Sequence, residues 1–160
     1  MNGLEHKNKI LVIADDAPES ELALLFAARR AKHSDTRLSI LFMIEPQSFE
    51  HWMSVEDAIR AEAYEDAEDH LARYAAWAFE EAGLVAELII REGRRADQIK
   101  AQISEDKDIF LLVLGASDSK EGPGPLVESL AHNPDYLGAR PIPVAIVPGR
   151  MTREDIRKLS

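Results

Sequence analysis

The sequence predicts an α/β fold, a three-layer sandwich in which a parallel sheet lies between helices. Three observations lead there. Five short apolar runs, rich in residues that favour strands, recur along the 160 residues. The stretches between them place apolar residues at helical spacing, so strand and helix alternate as βαβαβαβαβ with no linker and no internal repeat. The run Leu111-Leu112-Val113-Leu114-Gly115 is apolar and ends in glycine, as a buried parallel strand does where its carboxyl end opens into a turn. Such alternation implies right-handed crossovers, and these put helices on both faces of the sheet.

Ile10 to Ala14 is the first strand, ended by Asp15-Asp16-Ala17-Pro18. Leu22, Leu25, Phe26 and Ala28 to Ala31 mark a helix from about Glu19 to His33, with Pro18 suited to its first turn. Leu38 to Ile44 is the second strand, stopped by Pro46. Gln47 to Met53 is a loop bearing Phe49 and Trp52. Ser54-Val55-Glu56-Asp57 has the form of a capping box. The helix it opens runs to about Glu81 on an apolar stripe that includes Ile59, Ala63, Ala67, Leu71, Tyr74 and Ala78, and Gly83 ends it. Leu84 to Arg91 alternates as a third strand broken by Gly93, and Ala96 to Ser104 is a short helix with Ile99 and Ile103 inward. Ile109 to Leu114 is the fourth strand, Leu126, Val127 and Leu130 mark a short helix, and Pro143 to Val147 is the fifth strand. Thr152-Arg153-Glu154-Asp155 caps one last helical turn.

The length fits one domain over residues 1–160, with a core from about 9 to 149 and a C-terminal tail over 150–160. A formal net charge of −10 argues against nucleic acid and anionic membrane as partners, since both want a basic surface. The chain has no cysteine, which excludes disulfides and thiolate metal sites. No segment approaches the ~20 apolar residues of a membrane span, and the polar first eight residues lead into no signal-peptide pattern. The expectation is a soluble, cytoplasmic protein.

In open α/β sheets small ligands bind at the carboxyl ends of the strands, at the switch point, here between the first and fourth strands. That brings Asp15 close to Gly115. The loop after Gly115 carries Asp118, Glu121 and Glu128 and spells Gly122-Pro123-Gly124-Pro125. A phosphate cradle needs free backbone N–H groups and positive potential. Proline has no N–H to give, and carboxylates repel the ligand. The chain keeps a nucleotide-binding scaffold and alters the part that holds phosphate.

The strand ending in Ala14-Asp15, the Arg91-Glu92-Gly93 turn, the strand from Asp108 to Gly115 and the closing Pro141 to Pro148 together resemble the universal stress protein family. The order and spacing of these motifs carry the resemblance, over about residues 9–149. It implies an adenine nucleotide alpha hydrolase-like fold with a five-stranded parallel sheet in the order 3-2-1-4-5. It also implies frequent homodimers joined through the last strand, and roles in stress tolerance and signalling. Members fall into those that bind ATP and those that do not. In the binders an aspartate after the first strand contacts the nucleoside, and a loop of the form G-x2-G-x9-G-(S/T) wraps the phosphates.

Carried over by position, Asp15 stands for the nucleoside-contacting aspartate, with Ala14 before it, and Gly115 matches the first glycine of the loop. Asp118 and Glu128 stand where the second and third glycines would be, Ser129 matches the Ser/Thr, and Ser117 and Leu130 complete the candidate set. The two replacements put Cβ atoms where the backbone should approach phosphate closely or adopt positive φ. They are also expected to set two negative charges facing the ligand. At ~4 Å and an effective dielectric of ~20, one like-charge pair costs about 4 kcal/mol before screening. Two such pairs erase micromolar affinity, worth about 8 kcal/mol.

Three function classes follow. The first is a non-catalytic stress-response regulator without cofactor, which has lost tight ATP binding and acts through protein partners as a homodimer joined at Pro143 to Val147. The second is an ATP- or AMP-binding member, with Mg²⁺ and slow hydrolysis. The third is an enzyme acting on another small molecule in the same cleft, but no nucleophile and base are within reach and no catalytic residue is assigned. Asp15 and Asp16 read either as a metal or catalytic pair or as a solvated turn. Asp118 and Glu128 read either as Mg²⁺ ligands or as plain divergence, and no metal site is assigned. No Walker loop, G-x-S-x-G elbow or H-E-x-x-H pair is present. His6, His33, His51, His70 and His132 are scattered, and Asp66 with His70 reads as part of a solvated helix face. Phe49 and Trp52 read either as a partner patch or as a cover over the vacant cleft.

Overall fold

A computed structural model describes residues 8–45, 56–133, 135–138 and 140–159. The elements run β1 (Lys9–Ala14), α1 (Pro18–Ser34), β2 (Arg37–Ile44), α2 (Glu56–Ala82), β3 (Glu87–Glu92), α3 (Arg95–Glu105), β4 (Ile109–Ala116), α4 (Pro125–His132), β5 (Val144–Pro148) and α5 (Arg153–Leu159). All neighbouring strands pair in parallel, in the order β3-β2-β1-β4-β5. This is the sheet that the sequence predicts.

Alternation along the central strands divides the core into two layers. Ile10, Val12 and Ala14 of β1 face α1, α2 and α5, while Leu11 and Ile13 face the α3 and α4 side. Every residue of β1 is buried, which is why Ile10 to Ala14 reads as one unbroken apolar run. On α1 the buried face is mostly alanine (Ala23, Ala27, Ala28 and Ala31) beside Leu24 and Leu25, and small side chains let the helix lie close to the sheet. Pro18 supplies the helical φ of its first turn, and Asp35 in the left-handed region (φ 54°) closes it, its N–H returning to the carbonyls of Ala31 and Lys32. At the amino end of the sheet, buried Lys9 places Nζ 2.6 Å from Asp106 and 3.2 Å from Glu87. Burial alone would lower its pKa, but the two carboxylates more than offset this and the pKa is raised.

Several boundaries differ from expectation by a residue or more. The third strand starts at Glu87 rather than Leu84, because its pairing with β2 begins at Ser39–Glu87. Val85 accordingly stands 88% exposed. The fifth strand starts at Val144, after Pro143, whose carbonyl accepts the Leu112 N–H. The tail makes two turns of helix, not one. Thr152 Oγ1 accepts the Asp155 N–H at 3.1 Å, and Asp155 Oδ2 accepts the Thr152 N–H at 3.0 Å. Ile156 is then fully buried against the α1 layer. Arg157 pairs with Glu81 at 2.7 Å, and Arg153 lies 4.7 Å from the centre of the Trp77 ring. Ser54, Val55, His6, His51 and the loop with Phe49 and Trp52 lie outside the described residues. Among the described residues no helix is long and apolar enough to cross a membrane.

Candidate functional site

A cavity of about 680 Å³ opens at the carboxyl ends of the strands, a size typical of small-molecule sites. β1 and β4 form its floor, through Ile13 and Asp15 on one side and Leu114 and Gly115 on the other. The topology therefore brings Asp15 and Gly115 to one site.

The β1–α1 turn is tied down from three sides. The Asp15 N–H donates to Ser20 Oγ at 2.9 Å, and Asp15 Oδ1 accepts the Ala17 N–H at 2.8 Å, an Asx-turn. The Tyr74 hydroxyl of α2 donates to the Asp15 carbonyl. Burial, followed by the nearby Asp15 charge, pushes the Tyr74 pKa up to about 12. That leaves Asp15 Oδ2 toward the cavity, 3.5 Å from Arg95 Nη1. Gly115 packs against the first turn of α1 so closely that a Cβ there would lie 2.5 Å from the Glu19 carbonyl oxygen.

The loop after β4 is closed on itself. The Ser117 N–H donates to the Pro123 carbonyl, the Ser119 N–H to Ser117 Oγ, the Glu121 N–H to Ser119 Oγ and the Gly122 N–H to the Ser119 carbonyl, all at 3.0–3.1 Å. Pro123 and Pro125 have no N–H, and both line the cavity. Gly122 and Gly124 hold φ near 114° and 111°, which accounts for glycine at those two positions.

The remaining sequence candidates lie off the cavity wall. Ala14 is buried in the α1-side core, and Ser117 serves the loop turn just described. Glu128 folds back on the loop, since a Cβ on Gly122 would meet its Oε1 at 2.6 Å. The Ser129 carbonyl accepts the Asn133 N–H, and Leu130 packs on the α3-side core. Asp118 and Glu128, expected to face a ligand, are not among the residues that line this cavity. The carboxylates that line the cavity are Asp15, Glu19 and Glu45. The reason is geometric: α4 starts at Pro125, and its first turn presents Leu126 and Val127 to the cavity.

Sequence reasoning also missed Arg94 and Arg95 on the opposite wall. Arg94 is the residue preceding α3, exposed at the cavity rim and without a side-chain partner among the described residues. Arg95 Nε lies 3.2 Å from Glu45 Oε1, near enough for an ion pair but misaligned, so its buried N–H makes no hydrogen bond. The signal was available: both arginines follow the Gly93 turn at the carboxyl end of a strand, where the switch-point rule directs attention. Among the described residues no cluster of three or more His, Asp or Glu could hold a metal ion. His70 bonds through Nδ1 to the Asp66 carbonyl at 2.8 Å and packs near Phe42.

Among solved structures the chain is similar to universal stress protein UspA from Lactobacillus plantarum, at 17% identity and TM-score 0.72, over 89% of this chain and 98% of that one. It is similar to a universal stress protein in complex with cAMP, at 22% identity and TM-score 0.63, over 89% and 97%. A third is the universal stress protein from Archaeoglobus fulgidus in complex with dAMP, at 19% identity and TM-score 0.54, over 89% and 98%. No curated protein matches the sequence. These likenesses speak to the fold, but the model of the universal stress protein family matches residues 7–148. With nearly the whole chain so matched, this protein belongs to the universal stress protein family.

Proposed function

We propose that this protein is a stress-response regulator that has given up tight ATP binding, uses no cofactor, is not an enzyme, and acts in the cytoplasm as a homodimer through protein partners. One observation carries this reading: four main-chain donors of the loop, those of Ser117, Ser119, Glu121 and Gly122, are turned onto oxygens of their own loop. A triphosphate held there would have to break these bonds, at about 1 kcal/mol net for each of the four. The cavity adds three carboxylates against two guanidinium groups, which disfavours a strongly anionic ligand. The homodimer is supported by β5, an edge strand whose Ile146 stands 42% exposed, because a bare apolar edge invites pairing. Isothermal titration with ATP and Mg²⁺ tests the reading. Binding weaker than micromolar is the expected result, and a dissociation constant at or below about micromolar overturns it.

A second reading, an ATP- or AMP-binding member with Mg²⁺ and slow hydrolysis, is favoured by the two cavity arginines and by relatives in complex with cAMP and dAMP. It calls for an adenine nucleotide among the small molecules released from purified protein. Asp15→Ala would then weaken that binding and Asp118→Gly would strengthen it.

A further inference from the structure

We propose, building on the reading that this protein acts through protein partners, that the outer edge of β3 is a docking site for an extended, basic segment of a partner protein, which adds to the sheet as a further strand. β3 ends the sheet, and its pairing with β2 decides which main-chain groups are left over. The Gly93 N–H donates to the Ile44 carbonyl of β2 at 2.9 Å. Successive residues of a strand turn their main-chain groups to opposite sides, so Arg91 and Ile89 also face β2. Leu88, Ile90 and Glu92 turn theirs outward. Among the described residues nothing bonds the N–H and C=O groups of these three.

Apolar surface frames this edge. Of the five large apolar side chains that stand exposed among the described residues, three are Phe79, Val85 and Leu88, at 57%, 88% and 44%. Helix geometry puts Phe79 on the β3 side. Tyr64, Glu68, Ala75 and Phe79 fall on one stripe of α2, and the Tyr64 hydroxyl donates to Glu92 at the end of β3. The short connection over residues 83–86 returns the chain along α2, so the stripe runs from Glu92 back to Phe79 over the start of β3.

Charge selects the partner. Glu65 and Glu68 stand exposed on this flank of α2, and no described residue pairs with either. Glu87 pairs with Lys9, yet its side chain remains 50% exposed. The nearby cations are already held, Arg60 by Glu92 and Arg91 by Glu105. Acid is therefore in excess, and it matches a segment with Lys or Arg between its apolar residues. Such a segment lays its apolar side chains toward Leu88 and Phe79 while its main chain fills the open ladder. A second copy of this chain matches less well, because it brings the same acids on a formal net charge of −10. A bare edge invites indiscriminate pairing, and the flanking acids restrict it to basic partners.

The test combines amide hydrogen exchange and NMR titration on the full chain, with a short end-blocked peptide of alternating lysine and valine as the probe. In the free protein the amides of Leu88, Ile90 and Glu92 should exchange fast, and those of Ile89, Arg91 and Gly93 slowly. The peptide should bind at about millimolar or tighter and slow exchange at Leu88 and Ile90 about tenfold or more. Its fully N-methylated counterpart, and one with glutamate for lysine, should not bind. Leu88→Pro removes an N–H that bonds nothing in the fold, so it should keep the wild-type melting temperature, which is checked first. It should weaken the peptide about tenfold or more. Should that variant melt early, the N-methylated peptide decides alone. Ile146→Lys, at the β5 edge, should bind the peptide as wild type does. Slow exchange at Leu88 and Ile90 in the free protein overturns the inference, because the edge is then already covered. So do absence of peptide binding at millimolar concentration, undiminished binding in folded Leu88→Pro, equal binding of the N-methylated peptide, and a loss confined to Ile146→Lys. Equal binding of the glutamate peptide refutes the basic partner. Tight ATP binding, by contrast, would overturn the function proposed above and leave this edge as it is.

Discussion

Tyr74, on the buried face of α2, ties the main chain of Asp15 to the helical layer, and its chemistry has a pH signature. Its pKa is about 12 in the fold, against about 10 in an unfolded chain, because burial and the nearby acids disfavour phenolate. A folded value above the unfolded one means that the contribution is complete below pH ~10 and is lost as pH rises through ~12. Two units correspond to about 3 kcal/mol at most. Tyr64 and Lys9 have raised values too, so the contribution of Tyr74 is read as a difference. Urea denaturation of wild type and Tyr74→Phe across this range should show a steeper alkaline loss in the wild type. At neutral pH the variant should be about 1 kcal/mol less stable, the worth of one hydrogen bond. Asp15 is visible in the sequence as an acid after a strand. Its ties are not, because Tyr74 is far along the chain and only the packing of α2 brings it near.

The strands were the most legible elements, because an unbroken apolar run such as Ile10 to Ala14 has one economical explanation, burial on both faces. Two elements resisted. The segment before Glu87 alternates like a strand, yet its pairing with β2 starts only at Glu87, opposite Ser39. The tail offers one inward apolar side chain, Ile156, which is too little for a periodicity. Its docking rests on a reciprocal cap and on one buried residue. Ile156→Ala should cost about 2–5 kcal/mol in urea unfolding, as deletion of a buried aliphatic chain does. A loss below about 0.5 kcal/mol, ordinary for a surface position, would mean that α5 is only loosely appended.

For the molecule as a whole, the parallel sheet was legible from the strand–helix alternation, and its order from the resemblance to the universal stress protein family. The composition of the cavity was not. Its walls come from the ends of β1, the β2 end at Glu45, the β3–α3 turn and β4, segments that meet only once the sheet is assembled. Asp118 and Glu128 are contiguous with the motif and visible in the sequence, whereas Arg94 and Arg95 reach the cavity only through the assembled sheet. The same sheet leaves β5 at one edge, and the proposed homodimer forms there. Ile146→Lys should turn a dimer into a monomer in sedimentation velocity with the fold unchanged. A dimer that persists in the variant would place the interface elsewhere.

The contact between Gly115 and the Glu19 carbonyl welds the floor of the cleft to the first turn of α1 with no slack for even a methyl group. Those two sides can yield to an incoming guest only as one rigid piece. Any accommodation of guests of different girth therefore falls to the β3–α3 corner, where the exposed side chain of Arg94 can swing without disturbing the packed interior.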